Sequence, residues 1–169
     1  MSNIKERKSS ESEKSIFNKK VKAIEKGNYT PKERQQALRE LYYTEAIRYM
    51  ENAKKLLVDV PIDNGHYLDT KYVRSACGIA YSGVLVALDG YSRIINYQSK
   101  SKKPRERKSI EYYQGMLSQI NGKIFMDLNS AYNHLHLLGY YDGETSIKTT
   151  KIGFELAYKI INVVKPIKN

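Results

Sequence analysis

Three histidines, His66, His134 and His136, are the side chains of this 169-residue chain with the widest chemical repertoire. His66 falls in a predicted loop, while His134 and His136 sit two residues apart on a predicted helix. That spacing turns them by about 200°, to opposite flanks, so they cannot share a metal ion. No Glu-x-x-His pair of the kind that builds a carboxylate-bridged di-iron bundle is present. Cys77 is the one cysteine, which excludes an intramolecular disulfide and any cysteine-rich zinc site and points to a reducing compartment. No metal and no cofactor are therefore expected. On the helical wheel His134 lies beside Asp127 on one shoulder of an apolar stripe centred on Leu128 and Leu135. His136 lies near Asn129 and Tyr140 on the other shoulder. A carboxylate near an imidazole can fix its tautomer, which is the start of an acid–base site. It is only a start, and a boundary histidine satisfied by one hydrogen bond is the better reading, so His134, Asp127 and Asn129 stand as weak catalytic candidates. Phosphate-binding Gly-rich loops, the dinucleotide fingerprint and the Gly-x-Ser-x-Gly elbow are all missing from the sequence.

Lys and Arg number 29 against 18 Asp and Glu, a net charge of +11. The excess is concentrated. Residues 1–35 hold ten basic and five acidic side chains, residues 98–108 six and one, and residues 148–169 five and one, which leaves the rest of the chain slightly acidic. Such segments either keep a protein solvated or draw in phosphate backbones by counterion release. Lys100, Lys102, Lys103, Arg105, Arg107 and Lys108 are the nucleic-acid-binding candidates, although no aromatic residue is interleaved with them as a stacking platform would require. The fifteen tyrosines supply a different surface chemistry, because a ring that is dry at one end and wet at its hydroxyl suits bundle edges and interfaces. Tyr112, Tyr113, Tyr140 and Tyr141, near predicted helix ends, are the interface candidates.

The elements that must position these residues are helical. Four Pro and ten Gly are too few for the closely spaced turns of an all-β fold, and at 169 residues one core is expected. A charged leader over 1–29 carries a weak helical pattern from Ser12 to Lys26. Thr30, Pro31 and Glu33 form a capping-box start for a helix from about 31 to 58. Pro61 and Asp63-Asn64-Gly65 make a turn, and Asp69 or Thr70 starts a second helix that is apolar on almost every side, the expected centre of the bundle. Its small residues Ala76, Ala80, Gly83 and Ala87 share a face that invites either close packing or a groove. After the basic 98–108 loop, a third helix begins near Ser109 and breaks or kinks at Asn121-Gly122. A fourth runs to Gly139, and a fifth through Ile147 to Val164 stops at Pro166. The expected fold is all-α, an up-and-down bundle of four to five long helices over 30–166 with an N-terminal arm and a short tail, 167–169. With no signal-length apolar run after Met1 and no stretch of membrane-spanning length, a cytoplasmic protein without a membrane role is expected.

The helix segment Tyr72-Val73-Arg74-Ser75-Ala76-Cys77-Gly78-Ile79-Ala80-Tyr81-Ser82-Gly83 resembles the small-residue helix with a central aromatic of HEPN domains, a family named for nucleotide binding in higher eukaryotes and prokaryotes. Leu135-His136-Leu137-Leu138-Gly139-Tyr140-Tyr141-Asp142, followed by Ala157-Tyr158-Lys159-Ile160-Ile161, is similar to that family's closing helix, turn and last helix. The likeness spans about residues 35–164. HEPN ribonucleases carry an Arg four to six residues before a His on a late helix; here Asn129 stands where that Arg would precede His134. Without a guanidinium the developing charge of a phosphorane has no stabiliser. The resemblance thus implies a non-nuclease branch that binds a partner, often as a homodimer and often beside a nucleotidyltransferase. Three readings follow: a non-catalytic association module, a nucleic-acid-binding module using the 98–108 loop and the tails, and a divergent ribonuclease or toxin–antitoxin component centred on His134 or His136.

Overall fold

A computed structural model describes residues 3–97 and 108–167, with side chains from Glu13 onward. The fold is an all-α bundle. Its elements are α1 (Asn3–Lys26), α2 (Pro31–Lys55), a hairpin of β1 (Ile62–Asp63) and β2 (His66–Tyr67), α3 (Thr70–Ile94), α4 (Ile110–Ile120), α5 (Gly122–Ala131), a π-helical segment (Tyr132–Asp142), α6 (Ile147–Ile161) and a 3-10 turn (Asn162–Val164). The arm α1 is longer than the Ser12–Lys26 stretch expected from its apolar pattern.

Local chemistry sets most boundaries. Thr30 and Glu33 close the capping box at the start of α2, with the Thr30 amide donating to Glu33 Oε2 at 2.8 Å. Asp69 caps α3 by accepting from the Lys71 amide at 2.9 Å. Asn64 and Gly65 both have positive φ, 46° and 78°, which is the geometry an Asn-Gly hairpin turn demands. The hairpin is stitched to the other end of the chain, because the Tyr67 amide donates to the Thr145 carbonyl and the Ile147 amide to that of Gly65, both at 3.0 Å. Asn121 separates two helices. Its backbone ends α4, and its side chain accepts from the Ile124 amide at 3.1 Å to start α5. Asn121→Ala is expected to lower stability by about 1 kcal/mol, the usual value of an N-cap, in chemical denaturation.

α3 is the central element, packed against α2 on one side and against the π-helical segment, α6 and the 3-10 turn on the other. Its small-residue face is a contact and not a groove: Ala76, Ala80 and Ala87 are fully buried, and a Cβ on Gly83 would lie 3.0 Å from Tyr49 Cβ. Close approach of α2 fills the space the small residues leave. Two expectations about helix ends need correcting. α2 stops at Lys55 and not near 58, passing into a turn whose Leu57 and Val60 are buried. The fourth rod does not end at Gly139 but continues to Asp142, because the residue that ends it in the left-handed conformation is Gly143 (φ 75°).

Candidate functional site

At Tyr132 the rod that begins as α5 widens to i→i+5 hydrogen bonding and keeps it to Asp142. Widened turns of this kind are rare and concentrate at functional sites. Burial here recurs every fourth residue, at Ala131, Leu135 and Gly139. Tyr132, His136 and Tyr140 follow the same step one place further on, so their rings stack. His136 lies 5.0 Å from Tyr132 at an interplanar angle of 26°, and 5.7 Å from Tyr140 at 19°. Tyr81 of α3 packs beside them, its ring centre 5.0 Å from that of His136. α3 makes room with Gly78, where a Cβ would lie 3.0 Å from the Tyr140 ring. Burial, with Tyr132 and Glu111 nearby, holds the Tyr81 hydroxyl above the ordinary tyrosine range, so it stays a neutral donor. The outer end of the ladder is open: Tyr140 is 47%, Tyr141 70% and Leu137 37% exposed.

Arg74 fixes this end. Its Nη1 donates to the carbonyl of Tyr140 at 3.0 Å and to that of Tyr141, and its Nη2 to that of Asp142 at 2.9 Å. A guanidinium on the last carbonyls of a helix satisfies orphan acceptors and complements the negative end of the dipole. Gly143 has to be glycine for a second reason besides its φ, since a Cβ would meet Thr70 Cγ2 and the Arg74 guanidinium. The aromatic surface is therefore carried on a backbone held at three successive carbonyls by one side chain of α3.

The catalytic candidates are dispersed. His134 directs Nδ1 at the carbonyl of Ser130, 2.8 Å away, and no hydrogen bond or ion pair among the described residues joins it to Asp127. Asn129 accepts from Gln114 Nε2 at 2.8 Å, tying α5 to α4. His66 sits in the hairpin with Nδ1 3.2 Å from Thr145 Oγ1. Among the interface candidates, Tyr140 and Tyr141 face outward and Tyr112 is half-buried against Tyr97 and Tyr113. Tyr113 needs correction: it is a core residue, 4% exposed, and unavailable to a partner. Lys100, Lys102, Lys103, Arg105 and Arg107 lie outside the described residues. Lys108 is described, and it is already engaged.

Its partner is a polar cluster that the sequence did not advertise. Asp89 accepts from Lys108 through Oδ1, and through Oδ2 from Arg93 Nε at 3.2 Å and the Tyr42 hydroxyl at 3.1 Å. Lys108 also reaches Ser92 Oγ at 3.2 Å, and Arg93 pairs with Glu25 of α1. Burial alone would raise the Asp89 pKa, but Lys108 and Arg93 together outweigh it and hold the carboxyl below its ordinary value. Burial and the Asp89 charge push Tyr42 and Tyr113 upward. The cluster is thus a charged clasp with neutral phenols, arranged to hold elements together. Its one sequence signal was Asp89 and Arg93, a spaced ion pair on an otherwise apolar helix.

Cys77 is buried and its thiol pushed up to about 11 by that burial, which makes it an inert packing residue. Among the described residues no three His, Cys, Asp or Glu side chains group to hold a metal ion, and no helix is long and apolar enough to cross a membrane. Residues 42–166 match the family described as a domain of unknown function, DUF5618. The chain belongs to the DUF5618 family. A solved structure similar to it, a protein of unknown function from Dyadobacter fermentans, is 39% identical, with a TM-score of 0.64 over 74% of this chain and 94% of that one. No curated protein matches. The DUF5618 match takes in the aromatic ladder, Arg74 and the clasp residues from Tyr42 to Lys108, but not Glu25. It leaves α1 outside.

Proposed function

We propose that this DUF5618 chain is a non-catalytic, HEPN-like association module that works as a homodimer, with Leu137, Tyr140 and Tyr141 at the centre of the contact. The observation that carries this reading is the exposure of those three side chains on a backbone locked by Arg74 and Gly143. Rigid aromatic groups lose little conformational entropy on contact, and they are enriched at the energetic centres of interfaces. The HEPN character rests on the residue likeness of 72–83 and 135–142. Its non-nuclease side is supported by Arg74, which reaches this segment only to bind carbonyls, and by His134, whose ring nitrogen faces a carbonyl of its own helix.

Light scattering over a dilution series tests the reading. The protein is expected at twice its chain mass of 19.5 kDa. A Tyr140→Glu, Tyr141→Glu double variant is expected to weaken self-association by at least about thirtyfold, on the order of 2 kcal/mol, as loss of an interface centre does. A wild-type monomer at every accessible concentration would overturn the proposal. A dimer indifferent to the double variant would remove this face from it.

A further inference from the structure

The clasp brings together basic segments that are far apart in sequence. Arg93 pairs at once with Asp89 and with Glu25 near the end of α1, and Asp89 holds Lys108, the last residue of the 98–108 stretch. Tyr97 and Lys108, the described residues on either side of 98–107, lie at the same corner, where the Tyr97 amide donates to the Ser92 carbonyl at 2.9 Å and Lys108 reaches Ser92 Oγ at 3.2 Å. The last turns of α1, the end of α3 and Lys108 therefore meet at one edge of the fold.

α1 is oriented by its apolar stripe. Phe17 packs edge-on against Tyr42, with ring centres 5.1 Å apart, Val21 is buried and Ile24 is half-buried against the core. With 3.6 residues per turn, Lys19, Lys22 and Lys26 then fall within about 60° of one another on the opposite side, spaced over about 10 Å of helix axis. All three are exposed, and none forms an ion pair with a described residue. Glu25, the acid nearest this row, is turned toward Arg93.

We infer that the Lys19–Lys22–Lys26 face of α1 is a binding surface for the phosphate backbone of a nucleic acid, read without regard to base sequence. Three features of the face choose this occupant. Its charge is of one sign and repeats along a line, which complements a polyphosphate and draws on counterion release. The row itself carries no aromatic side chain on which a base could stack, and the one amide beside it, Asn18 a turn before Lys22, is too little to read a base sequence. A lipid surface is a poorer fit, because the apolar stripe that an amphipathic helix would insert between headgroups is already occupied by α2.

The test uses the full chain and a labelled duplex of about 20 base pairs in place of any natural ligand. Affinity measured by fluorescence anisotropy is expected to fall steeply between about 50 and 200 mM salt. Lys19→Glu, Lys22→Glu, Lys26→Glu together are expected to weaken binding by at least about tenfold at the lower salt. They should also reduce the slope of log affinity against log salt by between about 2 and 3, since each lost phosphate contact is worth about 0.9. A matched Lys54→Glu, Lys55→Glu, Lys71→Glu variant, at the end of α2 and the start of α3, controls for net charge and is expected to bind nearly as wild type. Absence of duplex binding by the wild-type protein overturns the proposal, as does an equal loss in both variants. Binding to vesicles containing anionic lipid that is tighter than binding to duplex, and is lost in the triple variant, overturns it in favour of a membrane. Light scattering on the same triple variant separates this result from the homodimer reading, because Lys19, Lys22 and Lys26 lie on α1 and not on the Tyr140–Tyr141 face.

Discussion

Asp89→Ala is expected to cost the fold about 2–3 kcal/mol in urea or guanidinium unfolding. The carboxylate is the shared acceptor for Lys108, Arg93 and the Tyr42 hydroxyl, so removing it strands two cations and a phenol around a gap. Breaking a fully buried pair in this way costs about 3–5 kcal/mol, and the lower figure here reflects the 26% exposure of Asp89, which lets water replace part of what is lost. Asp89→Asn keeps an acceptor for Tyr42 but no charge, and should fall between the variant and the wild type. The pH dependence follows from linkage. The folded Asp89 carboxyl lies below its unfolded value, so its contribution is complete above about pH 4 and is lost as the pH falls through the folded pKa. The wild type should accordingly lose more stability than Asp89→Asn as the pH is lowered from about 5 toward 2. An Asp89→Ala variant within about 0.5 kcal/mol of wild type would show that the clasp is solvated decoration.

The same cluster marks where the sequence stopped being readable. Helix starts were legible because their causes are local: Thr30 and Glu33, Asp69 and Asn121 act within three residues of themselves. The central place of α3 was legible from its apolar circumference. Beyond the Asp89–Arg93 pair on α3, the members Tyr42, Lys108 and Glu25 are joined only by tertiary packing, and no spacing in the sequence brings them to that pair. The π-helical segment was hidden for a related reason. Apolar residues at 128, 131, 135 and 138 satisfy an α-helical wheel, so the change of period leaves the composition untouched and alters only which flank each ring joins. The wheel put His136 near both Asn129 and Tyr140; in the widened rod it stacks on Tyr140, while Asn129 turns to Gln114. Gly139 was misread as a terminator because a glycine near the end of an apolar run usually is one. Here its missing side chain answers to a neighbouring helix and not to its own backbone angles.

That neighbour makes Gly139→Ala the most informative small substitution in the bundle. A Cβ at this position would lie 2.7 Å from Cys77 Cβ, closer still to the sulfur, and 3.0 Å from the His134 carbonyl oxygen. Alanine for glycine inside a helix ordinarily gains about 0.5–1 kcal/mol, and overpacking a rigid core ordinarily costs about 1–3 kcal/mol. The obstacle is the first carbon and sulfur of a fully buried residue on α3, not the far end of a flexible chain, so the cost should prevail and the variant should lose about 1–2 kcal/mol. Relief is expected from Cys77→Ala in the same chain, since it deletes the sulfur while leaving the Cβ contact, so a double-mutant cycle should show a favourable coupling of about 1 kcal/mol. The function should feel the strain as well. Tyr140 follows Gly139 directly and rests on Gly78 of α3, so pushing the rod away from α3 loosens the aromatic end that the homodimer is proposed to use. Weaker self-association in Gly139→Ala, recovered in part by Cys77→Ala, would tie the packing of this helix pair to the face it presents, whereas additive effects would show that the two are independent.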